Sequence, residues 1–270
     1  MKAHSLVKLF IHDFTYSLSY GKYKYLAFFG IVALLVVAKS LEAKPVSSNS
    51  VVVFFNLMQD NGYIKSLAEY QVPIYWIFVQ CFTLFLISDF LNHDMERNRV
   101  YLVLRVRPKI SYILSKVIWI VAQNILLFVG IFVVIYMISS FVLGNFSLGS
   151  TPYYKEVIAP QFTVGTSPTM LILRLFVGFI ITSIALSGLL LLGIQWIPAI
   201  AAFLGIIIVS AISTFSGLKW LPAIHSMILR QEIFNLTHHL TLRFSLMYSV
   251  VLFVVCVILT TFIFKRKDIY

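Results

Sequence analysis

The apolar positions of this chain are gathered into a few long runs, and most charged positions fall in the gaps between them. A helix needs about 20 apolar residues to cross roughly 30 Å of hydrocarbon. Residues 23–41, 72–91, 110–143 and 244–264 meet that length and predict four transmembrane helices. The first has a short apolar core, Tyr25 to Ala38, with Lys22, Lys24 and Lys39 placed to snorkel at its ends. The third carries 27 uncharged residues from Val117 to Leu143 and must tilt or extend past the bilayer.

A further run holds 44 uncharged residues between Leu175 and Leu218. As one helix it would measure about 66 Å, so it predicts two crossings, 170–193 and 197–216. Gly193 can end the first and Pro198 can start the second, with Trp196 at the interface. The pattern therefore predicts an all-α membrane protein with six transmembrane helices and both termini on one side.

Ahead of the first crossing, Val7, Phe10, Ile11, Phe14 and Leu18 recur at helical spacing, with Lys8, His12, Asp13, Thr15 and Ser19 between them. Residues 3–20 thus predict an amphipathic interfacial helix. Such a helix either rests on the membrane or serves as an elbow that braces the first crossing and transmits movement from the cytoplasm.

Composition agrees: 60% of residues are hydrophobic and 11% charged, against about 25% charged in an ordinary soluble domain. The crossings and short loops use nearly all 270 residues. No separate soluble catalytic domain is expected, and the energy source expected is a partner or a gradient. Cys81 and Cys256 lie inside apolar segments, where no structural disulfide is expected. No cleavable signal peptide is expected either; the first crossing should direct insertion.

Lys and Arg set the orientation. The leader (Lys2, Lys8, Lys22, Lys24), the stretch after the second crossing (Arg97, Arg99, Arg105, Arg107, Lys109, Lys116) and the tail (Lys265, Arg266, Lys267) hold 13 of the 21 on one side, and the other side holds seven, with Arg174 inside the fourth crossing near its outer end. The positive-inside rule makes the first side, with both termini, cytoplasmic, and the setting a multi-pass cell membrane. The net charge of +11 then reads as topology and lipid contact, with no call for a nucleic-acid partner.

The stretch from Asp89 to Lys116 carries nine of the 31 charged residues. Asn92 suits an N-cap, Asp94 and Glu96 suit a first helical turn, and Val100, Val103 and Leu104 offer a small apolar face. A short cytoplasmic helix is predicted over 92–106, ended by Pro108. With Glu96-Arg-Asn-Arg, Tyr101-Leu-Val-Leu, Arg107-Pro-Lys109, Ser111 and Lys116, this region resembles the type 2 ATP-binding-cassette permeases. The resemblance extends to the layout of leader, six crossings and inside termini. It implies a coupling helix that docks on a cytoplasmic ATPase through Glu96, Arg97, Arg99, Tyr101, Leu104 and Arg107. It also implies a second permease subunit, identical or homologous, and ATP with Mg bound by the partner ATPase subunits. The segment 217–242, too polar to cross and too apolar for a free loop, matches the place where family members carry short outer re-entrant helices; the alternative is an ordinary interfacial loop. The outer loops 42–71 and 144–168 exceed what a minimal member needs.

Other chemistry is sparse. The phosphate-cradling motif GxxxxGK[ST] is absent, so the chain is expected to bind no ATP by that route and to be no enzyme. His225, His238 and His239 have only Glu232 near ligand spacing, and no metal is expected. Polar residues inside crossings include Gln80, Gln123, Asn124 and Arg174, and Gln195 sits at the inner turn; each amide serves a substrate path or a helix-to-helix hydrogen bond, and Arg174 snorkels outward or serves a substrate or gating role. The function expected is an exporter subunit for a hydrophobic or amphipathic substrate such as a peptide, toxin or lipid. The alternatives are a gradient-driven secondary transporter and an intramembrane enzyme, both of which normally need a carboxylate deep in the membrane.

Overall fold

The computed structural model describes residues 3–46, 48–63, 70–97, 110–236 and 239–266. Among these residues the regular structure is helical throughout. The described residues form seven α-helices: α1 (Ala3–Ala43), α2 (Ser50–Met58), α3 (Ile74–Arg97), α4 (Ile110–Leu143), α5 (Pro168–Gly193), α6 (Ala199–Phe215) and α7 (Leu242–Arg266). Five of them, α1, α3, α4, α5 and α7, are long and apolar enough to cross a membrane. The chain is accordingly a multi-pass helical membrane protein. The sixth expected crossing, α6, has 17 residues, about 26 Å of helix, slightly less than a hydrocarbon core.

The leader and the first crossing do not form two helices. α1 runs unbroken for 41 residues, about 60 Å. No proline falls between residues 3 and 43, and Gly21 alone costs about 1 kcal/mol, too little to break a helix held by tertiary contacts. The leader is also turned differently from the amphipathic expectation. Its inward face is Leu9, Asp13 and Ser17, all buried, while Val7 and Ile11 point outward at 51% and 52% exposure. It packs along α4.

α3 likewise passes straight through Asn92, which is no N-cap, and ends at Arg97. The expected coupling helix 92–106 thus begins as the last turn of α3; residues 98–109 lie outside the described residues. α4 starts at Ile110. Between α5 and α6 the chain turns tightly, the amides of Trp196 and Ile197 donating to the Gly193 carbonyl at 3.0 and 3.1 Å. Trp196 is exposed at this turn.

Two apolar segments outside the long helices are buried. The sequence Ser-Val-Val-Val-Phe-Phe-Asn-Leu-Met forms α2, whose side chains are buried except Asn56, and which packs against α1, α3, α4 and α5. Residues 222–228 are also buried. They carry two short 3-10 helices, Pro222–Ser226 and Ile228–Arg230, in the stretch expected to be re-entrant. The loop 144–168 adds a π-turn over Tyr154–Ile158 and a 3-10 turn over Ala159–Gln161. Outside the core, α6 shows Ile200, Leu204, Ile208 and Ile212 in one stripe and α7 shows Met247, Val251 and Ile258, surfaces suited to lipid contact.

Candidate functional site

Where α1, α3 and α4 come together, four-residue spacings place polar side chains on the facing sides: Asp13 and Ser17 on α1, Phe90 and Asp94 on α3, Tyr112, Ser115, Lys116 and Trp119 on α4. Lys116 has no solvent exposure. Its ammonium lies 2.7 Å from Asp13 Oδ1 and 2.7 Å from Asp94 Oδ2. Ser115 Oγ donates to Asp13 Oδ2 at 2.6 Å, and Tyr112 Oη donates to Asp94 Oδ2 at 2.7 Å. The rings of Tyr112 and Phe90 flank the ammonium at 5.0 and 5.4 Å. One turn along, Trp119 Nε1 donates to Ser17 Oγ at 3.0 Å, and the Trp119 ring packs on Phe90.

A second, wetter layer joins α1 and α3. Tyr16 Oη and His93 Nε2 are 2.7 Å apart, the His93 ring stacks on Tyr20 with centroids 4.1 Å apart, and Lys24 pairs with Asp89. In both layers a cation or aromatic from one helix is met by partners from the others. Asp94, an acid in the last turn of α3, opposes the helix dipole there; the Lys116 ammonium offsets that cost. Desolvating three charges together is tolerable only because each is paired and hydrogen-bonded. The result is a buried ionic knot fixing α1 to the two helices that flank residues 98–109.

The residues expected to couple to an ATPase sit beside this knot in sequence. Glu96 and Arg97 end α3, their side chains outside the described residues, as are Arg99, Tyr101, Leu104 and Arg107. The expected path residues do not share a partner. Gln123 Nε2 donates to Tyr25 Oη at 3.0 Å, whereas its neighbour Asn124 donates to the Ile120 carbonyl and to Ser187 Oγ on α5. Gln80 is fully buried on α3, with neither amide atom hydrogen-bonded among the described residues. Arg174 faces Glu232 at 3.8 Å, and Gln195 Nε2 bonds back to the Leu191 carbonyl. Gln123 and Asn124 thus serve helix-to-helix contacts.

Sequence reasoning missed a second buried charge cluster at the other end of the bundle. Arg230, 1% exposed, donates to the carbonyls of Gly62, Ser213, Thr214 and Ser216. It thereby caps the C-terminal end of α6, where a cation complements the helix dipole. Asp60 lies 3.6 Å from it and accepts the amides of Leu229 and Gly62, each at 2.9 Å. Burial pushes the Asp60 carboxyl up and the Arg230 guanidinium down from their ordinary values, and their mutual attraction opposes both shifts. His225 Nδ1 is 3.1 Å from Ser245 Oγ, and burial lowers its pKa to about 4.

No curated protein and no solved structure matches this chain. Residues 30–270, which include Asp94, Lys116, Asp60 and Arg230 but begin after Asp13, match the family described as Protein of unknown function (DUF2705), and the chain belongs to that family.

Proposed function

We propose that the chain is the transmembrane permease subunit of an ATP-driven exporter of the type 2 ATP-binding-cassette kind. In this reading α6 is the sixth crossing, both termini are cytoplasmic, and residues 98–109 are the surface that meets a separate ATPase. The subunit pairs with a second permease subunit and two ATPase subunits, which bind ATP and Mg. The substrate is a hydrophobic or amphipathic molecule, a membrane-active peptide before a toxin or lipid. One observation carries the reading: Asp13, Asp94 and Lys116 lock α1 to both helices flanking residues 98–109. Force applied to that segment by a closing ATPase would reach three helices at once.

A gradient-driven transporter is the second reading, favoured by Asp13 and Asp94, two buried carboxylates that the sequence alone did not reveal as buried. They lie toward the ends of their helices, away from the middle of the bilayer where ion coupling is usually built. Everted vesicles separate the two readings. Uptake of a fluorescent amphipathic peptide should require ATP and persist when a protonophore collapses the gradient, and Glu96→Lys should abolish it while Glu156→Lys, at an exposed position of the other face, leaves it intact. Uptake that follows the gradient and ignores ATP would replace the exporter reading with the second one.

A further inference from the structure

About 39 Å along α1 from Asp13, at 1.5 Å per residue, Lys39 borders a cavity of about 420 Å³ at the opposite end of the bundle. Four carboxamides line it: Asn56 and Gln59 from the end of α2, Asn61 just beyond, and Gln71 before α3. Among the described residues none of the four side chains makes a hydrogen bond, so their eight polar atoms are free for a ligand or water. Among the described residues the rest of the wall is Val72, Pro73, Ile74 and Tyr75. The frame is fixed rather than adaptable, because Asp60, between Gln59 and Asn61, is held by the Leu229 and Gly62 amides and by Arg230.

The chemistry of the lining selects among ligands. Among the described residues the cation that lines it, Lys39, is already paired with Glu42, so these residues offer no unmatched charge to a phosphate or carboxylate. A side-chain amide carries a donor and an acceptor side by side, the complement of a peptide group, and four of them suit a ligand with several amides. A sugar would also bond to amides but takes an aromatic face to stack on; the Tyr75 ring is covered by the Lys39 ammonium at 5.1 Å. The aliphatic wall suits the side chains of a peptide. A 150 Å³ cavity takes a six-carbon ring, so 420 Å³ takes about 17 non-hydrogen atoms, two or three residues.

We infer that this cavity is a binding site for a short uncharged stretch of peptide, held through its backbone amides by Asn56, Gln59, Asn61 and Gln71. The inference deepens the exporter reading by giving its peptide a place at the end of the bundle away from residues 98–109, yet binding here requires no ATPase. The test uses the purified protein in phosphatidylcholine nanodiscs, titrated calorimetrically with N-acetyl-Ala-Gly-Ala amide, a tripeptide of the size the cavity takes, against empty nanodiscs. Saturable binding is expected, weakened at least tenfold in Gln59→Ala/Gln71→Ala and by N-methylation of the tripeptide amides, two lost hydrogen bonds being worth about that factor. Gln71→Ala alone, at an exposed position, should shift binding in the same direction and keeps the test valid should the double variant misfold. Absence of saturation, equal affinity in the variants, or binding of N,N′-diacetylchitobiose in place of the tripeptide would overturn the inference. Peptide binding by a protein that has no ATPase partner would leave it standing while removing the exporter reading. ATP-driven export indifferent to Gln59 and Gln71 would do the reverse.

Discussion

Replacing Lys116 by methionine keeps most of the side-chain volume and removes the ammonium that Asp13 and Asp94 share. Both carboxylates are then left at 1% and 0% exposure without their common cation, Asp13 keeping the Ser115 hydroxyl and Asp94 the Tyr112 hydroxyl. Removing one partner from a buried ion pair costs about 3–5 kcal/mol. For a chain of this size about 2–4 °C accompanies each kcal/mol, so the melting temperature should fall by roughly 10 °C. Thermal unfolding in detergent, followed by the fluorescence of Trp119 and the other tryptophans, measures it. Asp13→Asn should cost less on its own, and Lys116→Met/Asp13→Asn/Asp94→Asn should recover much of the loss because no charge is left buried. Glu42→Gln is the control: it removes a Lys39 pair whose acid is 64% exposed, where about 0.5 kcal/mol or less is at stake. A Lys116→Met protein that melts within 2 °C of the parent, with no recovery in the triple variant, would refute the knot as a stabilising element.

Arg230→Met should destabilise by a similar amount, about 3–5 kcal/mol, since it strands the Asp60 carboxylate and uncaps three carbonyls at the end of α6; Arg230→Lys should restore only part, which thermal melting resolves. Below pH 6.5 an unfolded histidine takes up a proton that His225 refuses down to about 4, so its contribution is present above pH 6.5 and lost as the pH falls through that window. Up to about 3 kcal/mol is lost by pH 4, and a His225→Asn protein should show a flatter acid limb in the same melts. For topology, single cysteines at Lys44 and Glu156, both exposed, should react with an impermeant reagent in intact cells, and one at Trp196 should not; labelling at Trp196 would reverse the orientation.

Helix positions were largely legible in the sequence, because the long uncharged runs from Val117 and Leu175 leave few alternatives in a bilayer. The boundary at residues 20–23 was misjudged for a physical reason. Lys22 and Lys24, placed to snorkel at the membrane edge, suggested an interfacial break, but a helix with no proline continues wherever a neighbour packs beside it, and α4 does so. The knot was illegible for a different reason. Asp13 looked like one polar residue on an amphipathic face and Asp94 like a favourable first-turn acid; their pairing with Lys116 spans 103 and 22 positions of chain. Only the four-residue spacings Asp13–Ser17 and Ser115–Trp119 hinted at facing polar ridges. The run Val51-Val-Val-Phe-Phe55 did signal a buried element, yet at nine residues α2 is too short to register as a crossing and was passed over as loop. Arg230 gave no signal, since a single arginine in a half-polar loop reads as solvated until the carbonyls of α6 are seen around it.

The proposal that residues 98–109 meet an energy-supplying partner is tested most directly by purifying the tagged chain from its native membranes and identifying what accompanies it. A P-loop ATPase is expected in near-equal amount with the permease, retained in Glu42→Lys and lost in Glu96→Lys while the variant chain still inserts at parental levels. A chain that purifies without any ATPase, or an ATPase that stays bound when Glu96, Arg97 and Arg99 are all reversed in charge, would contradict it.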